Sequence, residues 1–172
     1  VSKEPQNQEM EELFFFGEFE HSLDSQGRVA IPKDWRRKHS ETRLILFPGR
    51  DKDLLLFPFE SFRDFLVKAR KVSFANRMAQ EALARIGSRA RDCRCDKQGR
   101  VKIDSELLSR LGITGQMKMI GAVTHIKLCT PDGWTEQPFP DDVYLDEFQK
   151  INENNNDFMK MFMETFGKQN DN

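Results

Sequence analysis

Apolar and polar residues alternate along residues 18–23, with Phe19, His21 and Leu23 on one face, and the alternation returns at Val29 and Ile31. Period-two spacing of this kind predicts two half-buried strands. Between them the sequence predicts a tight turn. The Asp24 side chain can accept a hydrogen bond from the backbone two residues on, and Gly27 can take the positive φ that a β-branched residue resists. Arg28 then opens the outgoing strand. Pro32 suits a first helical position and Trp35 offers an apolar anchor, so a short helix is predicted, with Arg36, Arg37 and Lys38 near its end. Apolar runs at residues 44–47 and 54–57 predict two more strands.

The same signals come round again. A shift of 72 sets Asp24 on Asp96, Gln26 on Gln98, Gly27 on Gly99, Arg28 on Arg100, Val29 on Val101 and Ile31 on Ile103. Continued without a gap, it also matches Thr42 with Thr114, Gly49 with Gly121 and Leu56 with Leu128. Residues 24–62 and 96–134 then share nine identities over 39 positions, where unrelated chains of average composition share about two. The chain is therefore a tandem repeat of a unit of roughly 40 residues. In the second copy Ser105 is the predicted N-cap of a helix carrying Leu107, Leu108 and Leu111, and Gly112 its stop. Strands follow at residues 117–120 and 126–129. Between the copies, Phe62, Phe65, Leu66 and Ala69 form one helical stripe and Met78, Ala82, Leu83 and Ile86 another, predicting a helical connector that covers the sheets of both repeats. Beyond Trp134, Tyr144, Leu145, Phe148 and Ile151 predict an amphipathic helix. Phe158, Met159, Phe162, Met163 and Phe166 form a last stripe, a docking face for the chain's own body or for a neighbour.

Phe16-Gly17-Glu18, the first Asp-x-x-x-Arg turn, Ile31-Pro32 and a second Asp-x-x-x-Arg some seventy residues later together resemble the MraZ family of bacterial transcriptional regulators. The resemblance runs from Phe15 to about Trp134. It implies an α+β fold in which two swapped-hairpin units of the AbrB-like (SpoVT-AbrB) type share one chain. It also implies DNA binding through the surface of the two motifs, assembly of chains into a ring on repeated promoter sites, and control of a cell-wall and division gene cluster that includes the protein's own gene. The organisation expected is a disordered extension (1–14), a first repeat (15–62), a helical connector (63–89), a second repeat (90–134) and an acidic helical tail (135–172). Arg28 takes the motif's role most directly and Arg100 is its repeat partner, with Asp24, Gly27, Asp96 and Gly99 as turn formers. Lys33, Arg36, Arg37 and Lys38 are the candidate phosphate contacts. The chain departs from the family pattern at Gln26 and Gln98, where a basic residue is frequent, at Asp104, where the first copy has proline, and at Ile126-Lys127-Leu128-Cys129, which replaces an acidic-apolar-Trp ending.

Charge sharpens this picture. The net charge is only −1, but residues 24–50 hold seven bases against three acids and residues 63–102 twelve against four, whereas residues 131–172 hold ten acids and three lysines. Cations thus gather where the motifs are, which is what a nucleic-acid surface requires. Arginine suits base reading because its planar fork can donate two hydrogen bonds to guanine. Catalysis has little support: no Gly-rich phosphate loop is present, and the two aspartates are better explained as turn formers than as an acid–base pair. The chain is expected not to be an enzyme and to need no cofactor or small-molecule substrate. Cys93, Cys95 and Cys129 lack the partners for a zinc site, so no metal is expected, and their odd number argues against structural disulfides. No apolar run approaches the roughly 20 residues that span a bilayer, so the expectation is a cytoplasmic, nucleoid-associated homo-oligomer without membrane contact. The alternative function is an oligomeric interaction scaffold that has lost DNA binding.

Overall fold

The alternation at the head of the first repeat becomes strand β1 (Glu18–Ser22) in the computed structural model, which describes residues 11–134 and 141–153. β2 (Arg28–Ala30), a single 3-10 turn (Lys33–Trp35), β3 (Arg43–Pro48) and β4 (Leu54–Pro58) complete the first repeat. Helices α1 (Phe59–Ala69) and α2 (Arg77–Arg89) connect it to the second: β5 (Arg91–Arg94), β6 (Arg100–Lys102), α3 (Ser105–Leu111), β7 (Gln116–Gly121) and β8 (Ile126–Cys129). Helix α4 (Asp141–Glu153) follows. The fold is α+β, with antiparallel sheets throughout. The expected start of the N-terminal extension, residues 1–10, and the stripe from Phe158 to Phe166 lie outside the described residues.

Neither repeat keeps its strands to itself. One sheet runs β1-β7-β8-β4-β3-β5 and a second pairs β2 with β6, so the first strand of each repeat lies against the third strand of the other. Val29 faces Val101 in the small ribbon and Leu55 faces Lys127 at the centre of the large sheet, so an approximate two-fold axis relates the copies through these pairs. The core follows from alternation. Val29, Val101, Leu44, Leu46, Leu54, Leu56, Met117, Met119, Ile126 and Leu128 turn inward between ribbon and sheet, and Trp35, Leu107 and Leu108 close its sides. Trp35 is tethered by its Nε1, which donates to the Phe16 carbonyl at 3.1 Å.

Structure and sequence part company in several places. The repeat is not ungapped. Pro48 pairs with Leu54 and Gly121 with Ile126, while Leu54 and Ile126 are equivalent, so β3 and β7 correspond at a shift of 73 although the flanking strands keep 72. The identities Thr42/Thr114 and Gly49/Gly121 are therefore accidents of register. The reason is that α3 is a seven-residue helix where the first copy has a three-residue turn, and the β7–β8 hairpin is a residue shorter than β3–β4. The expected helix at Pro32 shrinks to that 3-10 turn because Arg36 is already extended, at φ −112°. The N-cap of α3 is Asp104 and not Ser105: its carboxylate accepts from the Glu106 N–H at 3.0 Å. The connector begins at Phe59 and covers only one end of the outer sheet face, where Phe62 packs with Ile45, Phe47, Leu55 and Phe57. Helix α2 buries none of its residues, and Met78 is exposed instead of lying in a core.

Candidate nucleic-acid interface

Each Asp-x-x-x-Arg turn is closed by its own aspartate. Asp24 Oδ1 accepts from the backbone N–H of Gln26 and of Arg28, both at 2.9 Å, and Oδ2 accepts from Arg28 Nε at 2.7 Å. Asp96 repeats the pattern with Gln98 and Arg100, at 2.9, 2.9 and 3.0 Å. Gly27 and Gly99 carry φ of +73° and +76°, the left-handed region where a Cβ is strained. The turns also brace each other, since Ile31 N–H donates to the Gly99 carbonyl and Ile103 N–H to the Gly27 carbonyl, both at 2.9 Å. The donors around Asp24, led by the Arg28 backbone N–H, hold its pKa down at about 2. Asp96 is lowered in the same way, chiefly by the Arg100 backbone N–H.

The β2–β6 ribbon presents these turns on one face. Val29 and Val101 point to the core, so by strand alternation Arg28, Ala30, Arg100 and Lys102 point away from it. The two motif arginines are not equivalent. Arg28 is held through Nε, and no hydrogen bond among the described residues engages its Nη1 or Nη2. Arg100 is held at both ends: Nη2 lies 3.0 Å from Asp96 and Nη1 3.6 Å from Asp24 of the other turn. Gln26 and Gln98 occupy the exposed turn tips, their backbone N–H groups fixed and their amide side chains outward.

The other candidates divide. Lys33 and Lys38 are exposed. Arg36 reaches across to the second turn, where its guanidinium lies so close over Gly99 that an added Cβ would fall 2.0 Å from Nη1. Arg37 turns inward instead: its side chain is 6% exposed and its Nη2 sits 3.1 Å from Glu60 Oε2, off hydrogen-bond alignment, on the first turn of α1. Lys102, opposite Arg28, joins the face without having been singled out from sequence, although its position two residues beyond Arg100 on the same strand is the signal that marks it. Lys97 at the second tip does likewise. The cysteines are free, and burial pushes the thiols of Cys93 to about 12 and Cys95 to about 11, so both stay protonated. Among the described residues no helix is long and apolar enough to cross a membrane.

Sequence comparison gives this chain relatives. The family model described as MraZ protein matches residues 14–85. The transcriptional regulator MraZ of Alkaliphilus metalliredigens is 30% identical over 133 residues, covering 77% of this chain and 92% of the relative. The proteins of the same name from Clostridium tetani and Caldicellulosiruptor bescii are 32% and 30% identical over 122 and 138 residues, covering 71% and 80% of this chain and 85% and 96% of their own.

Proposed function

The chain belongs to the MraZ family, one of transcriptional regulators and not of enzymes, and from that membership we propose that it is itself a sequence-specific DNA-binding regulator acting through the twin-turn face. The observation that carries the reading is the β2–β6 ribbon, whose outward side chains include Arg28, Arg100 and Lys102. A two-stranded ribbon is narrow enough to enter the major groove. There Arg28, oriented through Nε, offers its terminal nitrogens to guanine O6 and N7. Gln26 and Gln98 at the tips carry the amides that suit adenine N6 and N7. Arg100, tied to two aspartates, braces the pair of turns more than it reads. Lys33, Lys38, Lys97, Lys102 and Arg36 supply phosphate contacts, which position without reading sequence. Arg37 would first have to leave Glu60, and its role is to hold the turn after β2 against α1.

The exchange of leading strands between the repeats fits the swapped-hairpin AbrB-like architecture. One such face presents too few base contacts for the ~1,000–2,500 Å² of protein surface that specific complexes bury, so several chains, assembled as a ring, would act together on repeated sites near the promoter of the protein's own cell-division and cell-wall genes. The protein would then work at the nucleoid in the cytoplasm. One observation favours the scaffold alternative: a carboxylate stands against each motif arginine. Binding to duplex DNA from upstream of the protein's own gene, against a shuffled duplex of equal composition, separates the two. A preference of about a thousandfold or more is expected; equal affinity for both duplexes would reject the reading.

A further inference from the structure

Two helical surfaces of this chain are apolar, open and opposite in charge. Leu66 and Val67 on α1, Phe74 in the bend and Met78 on α2 are all exposed, Phe74 at 92% and Met78 at 83%. Val143, Leu145, Phe148 and Ile151 are exposed on α4. Single exposed apolar residues are ordinary, but clusters on helices mark contact surfaces. Leu145, Phe148 and Ile151 recur every three residues and so share a face of α4. Residues 59–89 carry seven bases against three acids, and residues 141–153 five acids against one base. That one base, Lys150, is already paired with Glu147 at 2.6 Å. The pieces also match in length: α2 and α4 are each 13 residues long, about 20 Å at the helical rise.

We propose that α4 of one chain docks on the α1–α2 surface of a second copy. This rests on the self-assembly proposed above and names its contact. The apolar stripe of α4 meets the exposed apolar side chains of α1, the bend and α2, and the acidic residues of α4 meet the basic connector, which fixes the choice of partner and the direction of approach. A second copy is the occupant because among the described residues nothing covers the exposed side chains of either face, and because each face matches the other in charge and not itself. The contact is therefore heterologous. A subunit that gives its α4 to one neighbour still offers α1–α2 to another, the arrangement that closes into rings when the rotation allows. The two DNA turns lie elsewhere, on the ribbon, so assembly leaves them open.

Two variants test this, each at an exposed side chain: Phe74→Asp spoils the acceptor and Phe148→Asp the donor. With folding verified by circular dichroism, light scattering at micromolar concentration should show wild type as an oligomer and each variant alone as a single chain. Mixed in equal amounts, the variants should form a dimer and nothing larger, since one intact donor then meets one intact acceptor. Variants that still assemble like wild type would overturn the contact while leaving assembly standing. A monomeric wild type would overturn assembly and the contact with it. Single-chain variants that fail to pair on mixing would overturn docking between copies.

Discussion

Asp24 fixes the first turn from both ends, and its chemistry sets how the site responds to acid. A carboxylate whose folded pKa is depressed adds stability that is fully present above its ordinary value of 3.8 and is lost as pH falls from there through about 2. Asp96, lowered for the same reason, acts in the same sense. The thermal midpoint of wild type should therefore fall across that window, and Asp24→Asn should flatten part of the fall; superimposable pH profiles would contradict the account. Gly27 gives a second test. A valine at φ +73° would be strained and its Cβ would sit 3.2 Å from the Ile103 carbonyl oxygen, so Gly27→Val should cost ~1–3 kcal/mol in a denaturant titration. A variant as stable as wild type would remove the turn's rationale. These roles were legible in the sequence because an Asx turn is local: donor, acceptor and glycine lie within five residues. The reach of Arg36 to Gly99 and the inward turn of Arg37 to Glu60 were not, because both join segments far apart in the chain.

At the level of elements, the period-two and helical stripes marked most of the strands and helices, and the repeated Asp-x-x-x-Arg marked the two-fold relation. What they could not mark was which strand lies beside which. The pairing of β1 with β7 and of β5 with β3 depends on burying Leu44, Leu46, Met117 and Met119 in one core shared by both repeats, a tertiary choice that no short window records. The slipped register at β7 was hidden for a related reason. Thr114 and Gly121 match by chance, and only the cross-strand partners expose the extra residue in the α3 segment. Strand exchange has a direct consequence for fragments. A chain ending at Arg89 keeps β1 to β4 but loses every strand partner of β1 and β2 and one of the two partners of β3 and of β4, so it should show little native strand signal by circular dichroism and no cooperative melt. Adding the fragment that starts at Ala90 should restore both signals; an independently folded N-terminal half would contradict the exchange.

Taken whole, the molecule is nearly neutral but divided, with a basic face on the ribbon and connector and an acidic C-terminal segment. Blocks of charge were visible in the sequence. Which cations share the ribbon face emerged only from the fold, which adds Lys102 and takes Arg37 away. The central claim is that this face reads DNA, with Arg28 the reader and the surrounding cations the holders. The most direct measurement is fluorescence anisotropy of labelled duplexes bearing one or several copies of the recognised upstream sequence, or a shuffled sequence, titrated with wild type and Arg28→Ala from about 50 to 200 mM salt. For wild type, several copies should bind more tightly than one. Affinity should fall about a thousandfold or more over that range if six or more phosphates are neutralised. Arg28→Ala should lose the preference for the recognised sequence while keeping most of the salt dependence and its thermal midpoint. Binding indifferent to salt, or an Arg28→Ala protein that still prefers the recognised sequence as strongly as wild type, would contradict the account.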